Sequence, residues 1–203
     1  MIGVFDSGFG GLSTLKKIIH KLPKYNYVYL GDNARTPYGD KTPKTLLRYT
    51  KQVVRWFRKQ KVPLVIFACN TATAVTLRKL QHTEVDGKKY PIRILGIIRP
   101  LVEVAIEQNK SRHIGIIATT ATIKSGGIDR ELRKLSPKIK ITKKATPIFV
   151  PLIEKGLHKT PEMKAVIQKN MKIFKKKRVD TLILGSTHYE HIRPQIQKVL
   201  GEK

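Results

Sequence analysis

The chain has 203 residues, 40% of them hydrophobic, and its 41 Lys and Arg against 14 Asp and Glu give a formal charge of +27. That length suits one large domain or two small lobes with a real core, and no apolar run nears the ~20 residues of a bilayer span. A single cysteine excludes an internal disulfide framework and any multi-cysteine metal site.

The opening Met1-Ile2-Gly3-Val4-Phe5-Asp6 moves directly into a strand and lacks a signal-peptide layout, so the expected compartment is the cytoplasm. A surface this basic attracts anions: small carboxylates and, less selectively, nucleic acid or acidic lipid. The basic residues are spread along the whole length, with short runs such as Lys175-Lys176-Lys177-Arg178, and no aromatic-studded RNA motif or recognition helix accompanies them. A solvated basic surface on an enzyme is therefore preferred to a dedicated nucleic-acid role, and no membrane partner is expected.

In chain order, strands are predicted at 2–5, 26–31, 63–68, 93–97, 113–118, 138–141 and 181–185. Helical spacing occupies 11–21, 43–60, 71–82, 100–110, 121–135, 160–176 and 191–200. Thr42-Pro43, Arg99-Pro100 and Thr160-Pro161 read as helix starts. Short strands apolar on both faces, alternating with helices, predict an α/β fold of parallel sheets flanked by helices. In such sheets ligands bind beyond the carboxyl ends of the strands. The polar stretch 82–91 is the expected boundary, giving a first lobe over 1–91 and a second over 92–203.

Two strand ends echo each other. Leu64-Val65-Ile66-Phe67-Ala68-Cys69-Asn70-Thr71 finishes in a thiol, and Thr181-Leu182-Ile183-Leu184-Gly185-Ser186-Thr187-His188 finishes in a hydroxyl. Upstream, Ile2-Gly3-Val4-Phe5-Asp6-Ser7 resembles Ile114-Gly115-Ile116-Ile117-Ala118-Thr119. The separations are 66 residues from Gly3 to Cys69 and 71 from Gly115 to Ser186, as expected for two related halves.

Each candidate has a plain structural reading beside the chemical one. Asp6-Ser7-Gly8-Phe9-Gly10-Gly11 allows close backbone approach to an anion before a helix, or is an ordinary glycine-rich turn; its spacing is not a dinucleotide fingerprint. Cys69 near helix amides is a usable acid/base, or an inert core thiol. Asn70 and Thr71 add donors for a carboxylate, although Thr71 also reads as an N-cap. Ser186 lacks the Gly-x-Ser-x-Gly elbow of a hydrolase. His188 can tune a neighbouring acid, Tyr38 and Gly39 lie in the loop 31–39, and Glu154 follows an apolar run; their alternatives are structural histidine, packed aromatic and solvated charge. No metal-ligand set is apparent, since His188 and His191 form only a lone i, i+3 pair.

Taken together, Ile2–Gly8, Gly31–Gly39, Ala68–Ala74, Val150–Glu154 and Gly185–Tyr189 resemble the glutamate racemases of the aspartate/glutamate racemase superfamily. The resemblance implies two pseudo-symmetric α/β lobes with the substrate between them, no cofactor, and a homodimer. It implies interconversion of L- and D-glutamate for peptidoglycan precursors, by two cysteines acting on opposite sides of the α-carbon. Carried over by motif, Cys69 is one acid/base, assisted by Asp6; Glu154 and His188 assist the other. Asp6, Ser7, Tyr38, Gly39, Asn70, Thr71, Thr187 and His188 contact substrate.

Two departures matter. Ser186 stands where the family has its second cysteine, and an alcohol is a far weaker acid than a thiol of unperturbed pKa ~8.5; impaired racemisation is expected. Family members also continue beyond the helix 191–200 with elements returning to the first lobe, so one edge of that lobe is expected to be uncovered here. The alternatives are a single-cysteine decarboxylase or lyase of the same superfamily, and a basic nucleic-acid-binding protein on a racemase scaffold. Glutamate rests on the resemblance, with aspartate its competitor.

Overall fold

The computed structural model describes residues 1–85 and 92–201. The chain divides into two units, 1–98 and 99–203. The first holds a parallel sheet of order β2-β1-β3-β4, built from β1 (Ile2–Asp6), β2 (Tyr27–Gly31), β3 (Leu64–Phe67) and β4 (Arg93–Gly96). Its helices are α1 (Gly11–Lys21), α2 (Pro43–Lys59) and α3 (Asn70–Leu80). The second unit's sheet has order β6-β5-β7, also parallel, from β5 (His113–Ala118), β6 (Lys140–Ala145) and β7 (Thr181–Gly185). With it go α4 (Ile98–Gln108), α5 (Thr120–Ser125), α6 (Gly127–Leu135), α7 (Phe149–Glu154), α8 (Pro161–Lys176) and α9 (Arg193–Leu200).

The central strands β1 and β5 are buried at every residue, as a strand flanked by neighbours and covered by helices must be. α2 starts on Thr42, whose hydroxyl accepts from the Thr45 amide at 3.2 Å, with Pro43 at the first position. Leu46, Val53, Val54 and Phe57 recur at helical spacing and are all buried. α8 repeats the device with Thr160 and Pro161. It buries Met163, Ile167, Met171 and Phe174 in a core with Phe149, Tyr189 and Ile192.

The internal echo extends well beyond the strands. The end of α2 turns through Lys61 at φ 54°, and the Val62 amide returns to the Phe57 carbonyl at 3.1 Å. The end of α8 turns through Arg178 at φ 50°, and the Val179 amide returns to the Phe174 carbonyl at 3.1 Å. Each of these phenylalanines lies over a glycine of the central strand. A Cβ on Gly3 would stand 2.6 Å from the Phe57 ring, and one on Gly115 would stand 2.8 Å from the Phe174 ring. Both halves thus build helix, left-handed turn and strand in the same way, and each strand ends at one of the two echoed tips.

Several expectations shift. The helix expected over 121–135 is two, because Gly126 adopts φ 63° and ends α5 before α6 begins. The strand expected at 138–141 runs over 140–145, where lysines on an edge strand obscure the pattern. Val150–Glu154, read as an apolar run, lies within α7. α3 begins at Asn70, so the N-cap proposed for Thr71 is Cys69 instead. β4 was grouped with the second lobe but hydrogen-bonds to β3, so it belongs with the first sheet. Most of the expected boundary stretch, 86–91, lies outside the described residues.

Candidate active site

Strand tips place the candidates. Asp6 ends β1 and is wholly buried; its Oδ2 accepts from the Gly8 amide at 3.1 Å. The Gly8 carbonyl accepts from the Tyr29 hydroxyl at 2.6 Å, which pins the glycine-rich turn to β2. Phe5 pairs with Phe67, so the register brings Ser7 level with Cys69. The Cys69 thiol donates to Ser7 Oγ at 3.5 Å and accepts from the Ala72 amide at 3.4 Å as the N-cap of α3. Asn70, Thr71 and Thr73 follow, all buried. Asn70 Oδ1 is buried without a hydrogen-bond partner among the described residues, an acceptor that a bound ammonium or hydroxyl would satisfy.

Burial pushes the Cys69 thiol up to about 12, and the nearby Asp6 carboxylate pushes the same way; the opposing pull of the Ala72 amide and Ser7 is too weak to offset them. The thiol therefore rests protonated. To act as a base it must first lose that proton, and a cationic ligand beside Asp6 and Cys69 would oppose both upward shifts. Burial also raises Tyr29, with Asp6 and Cys69 adding to it, so its phenol stays a neutral donor.

The loop 31–39 is organised by Asp32, which follows β2 and is buried. Asp32 accepts from Arg35 Nε at 2.9 Å and from the Tyr38 hydroxyl. Tyr38 is buried against Phe5 and Tyr49. Its hydroxyl is thus already engaged, and Gly39 beside it is buried as well.

In the second unit, Ala118 pairs with Gly185, which brings Thr119 level with Ser186 as Ser7 is with Cys69. Ser186 Oγ accepts from the His188 amide at 3.4 Å and caps the 3-10 helix that carries Thr187 and His188. His188 Nε2 lies 3.2 Å from Glu154 Oε1. Two residues far apart in sequence are thus brought together, because α7 and the 187–192 turn pack on one another. Where Asp6 stands in the first half, the second has Ala118.

Thr119 was not singled out as a site residue. Its hydroxyl caps α5 and lies 2.9 Å from Thr122 Oγ1. The echo of Ser7 in Thr119 was the signal that could have found it. Among the described residues no group of three or more His, Cys, Asp or Glu side chains comes together as a metal cluster would.

Residues 2–202 match the family model described as Asp/Glu/Hydantoin racemase. The glutamate racemase of Aquifex aeolicus is 41% identical over 199 residues, covering 98% of this chain and 75% of the relative. Among solved structures, the glutamate racemase isoform RacE1 of Bacillus anthracis matches with a TM-score of 0.91 at 35% identity, over 100% of this chain and 74% of that one. The Francisella tularensis glutamate racemase, solved in complex with D-glutamate, matches with a TM-score of 0.88 at 34% identity, over 98% and 73%. The chain belongs to the Asp/Glu/Hydantoin racemase family. It is an isomerase of the amino-acid racemase type, spanning about three quarters of the length of these relatives.

Proposed function

We propose that the chain acts on glutamate by cofactor-independent proton transfer at the α-carbon, with Cys69 as its one competent acid/base and Ser186 in the place of the other. The observation that carries this reading is the buried Cys69 thiol at the tip of β3, hydrogen-bonded to Ser7 and raised partly by Asp6. Asp6 is the group to which that proton passes, and it is matched in the other half by the pair Glu154 and His188. Asn70 Oδ1 receives the substrate ammonium; Ser7, Thr71, Thr187 and the backbone at Tyr38 and Gly39 hold its other polar groups. The product role is supply of D-glutamate for peptidoglycan, in the cytoplasm, by a homodimer. The 41% identity to a glutamate racemase supports glutamate over aspartate.

Ser186 makes the reaction one-sided. Serine at the second position neither donates nor accepts a proton at a useful rate near neutrality, so net racemisation is slow while exchange on the Cys69 side persists. Incubating D- and L-glutamate separately in deuterated water should show α-proton loss from one enantiomer, D by the family's facial assignment. Ser186→Cys should then raise net racemisation by at least ~100-fold, the usual scale of a general acid/base. Equal and fast exchange of both enantiomers in the unaltered chain would overturn the assignment. Carbon dioxide release from a malonate-type acid would favour the single-thiol lyase.

A further inference from the structure

Cations that the sequence scatters are gathered by the sheet of the second unit. Parallel strands all start at one end of a sheet, and so the loops that lead into them meet there. Here those loops are 109–112 before β5, 136–139 before β6 and 177–180 before β7. With the first residue of β6 they carry Lys110, Arg112, Lys138, Lys140, Lys177 and Arg178, all exposed. His113 pairs with Lys140, and the Lys140 amide donates to the Arg112 carbonyl at 2.9 Å, so short basic runs far apart in sequence lie side by side.

The local field is positive. Burial lowers the His113 imidazole, and Lys140 and Lys177 push it further the same way. The one acid in these loops, Asp180, is already engaged: it accepts from the Ser111 and Lys110 amides at 2.8 and 3.3 Å and from the Asn109 side chain. Fold stability does not call for the cations. Arg112 and Arg178 stand at φ 56° and 50°, where glycine is the less strained residue. Lys177 caps α8 and suits its negative end, but Arg112, Lys138 and Lys140 end no helix.

We propose that this end of the second sheet binds the phosphate backbone of a nucleic-acid duplex. Neighbouring strands lie about 4.8 Å apart, so the three strand starts span roughly 10 Å, and a duplex offers one negative charge per ~1.7 Å of its axis. The three loops hold no aromatic residue on which single-stranded bases would stack. Leu135 is the one exposed large hydrophobic residue beside them among the described residues, too little to seat the unit in a bilayer surface. Contacts to phosphates alone carry no base preference. The patch is at the opposite end of the sheet from Thr119 and Ser186, so a duplex leaves that strand tip open.

The test is fluorescence anisotropy of a labelled DNA duplex of about 20 base pairs and arbitrary sequence, titrated with the whole chain from about 50 to 300 mM NaCl. The logarithm of the affinity should fall against that of salt with a slope near −5, about −0.9 for each of six contacts. Lys138→Gln with Lys140→Gln and Lys177→Gln should weaken binding at least ~10-fold at about 100 mM and flatten the slope by about 2.7. Lys155→Gln with Lys159→Gln and Lys164→Gln removes the same charge near the carboxyl ends of the strands and should change the slope by less than about 1. Far-UV circular dichroism and melting check that both variants remain folded. The proposal is overturned if the parent does not bind at about 50 mM, if its slope is shallower than about −2, or if the two triple variants weaken equally. Binding to phosphatidylglycerol vesicles in place of the duplex overturns it as well.

Discussion

At Cys69 a single thiol couples proton chemistry to stability. Its folded pKa of about 12 exceeds the ~8.5 of an unfolded cysteine, so between those values the native state holds a proton that the unfolded chain has lost. The thiol's stabilising contribution is therefore complete below ~8.5 and declines as pH rises toward 12. Between pH 8 and 10 the urea midpoint of the parent should fall further than that of Cys69→Ala. Asp6→Asn removes one of the two causes of the raised pKa. It should speed alkylation of Cys69 at pH 8–9 severalfold, followed cleanly because no other thiol exists, while slowing α-proton exchange. Faster exchange would argue against Asp6 as the proton acceptor.

Residue identities at this scale were legible because strand-tip chemistry is local in sequence: Asp6, Ser7, Cys69, Asn70 and Ser186 each follow an apolar run. What could not be read was pairing. Nothing in the spacing joins Glu154 to His188 across 34 positions, or shows that the Tyr38 hydroxyl is spent on Asp32. That Thr119 stands level with Ser186 needed the register of β5 against β7.

At the scale of elements, the two left-handed turns are the clearest repeated cost. Lys61 and Arg178 hold φ near 50°, where an L side chain crowds its own backbone. Arg178→Gly should raise unfolding free energy by about 0.5–1 kcal/mol, the relief being partly offset by glycine's freer unfolded state. Gly115→Ala should cost about 1–3 kcal/mol, since its new methyl meets Phe174 and Leu182 at 2.8 Å. Both follow from equilibrium urea unfolding. Elements with strong periodicity, α2 and α8, were placed almost to the residue. Those set by one backbone angle, such as the break at Gly126, or masked by lysine, such as β6, were displaced.

Across the whole molecule, charge dominates. The residues 1–98 carry 18 Lys and Arg against 5 Asp and Glu, and 99–203 carry 23 against 9, so the net charges are +13 and +14. Neither half neutralises the other, and self-repulsion opposes the compact state at low ionic strength. Raising NaCl from 20 to 500 mM, roughly a fivefold shortening of the screening length, should raise the melting temperature by several degrees. A melting temperature that falls with salt would show that specific ion pairs outweigh the global repulsion.

The matched turns at Lys61 and Arg178 make this chain its own control experiment. A substitution at Phe57 has a twin at Phe174, one at Gly3 has a twin at Gly115, and each pair shares solvent, concentration and temperature in a single sample. Divergence between twins would then measure how differently the two halves lean on one shared arrangement of helix, turn and strand, with a thiol at the tip of one and an alcohol at the tip of the other.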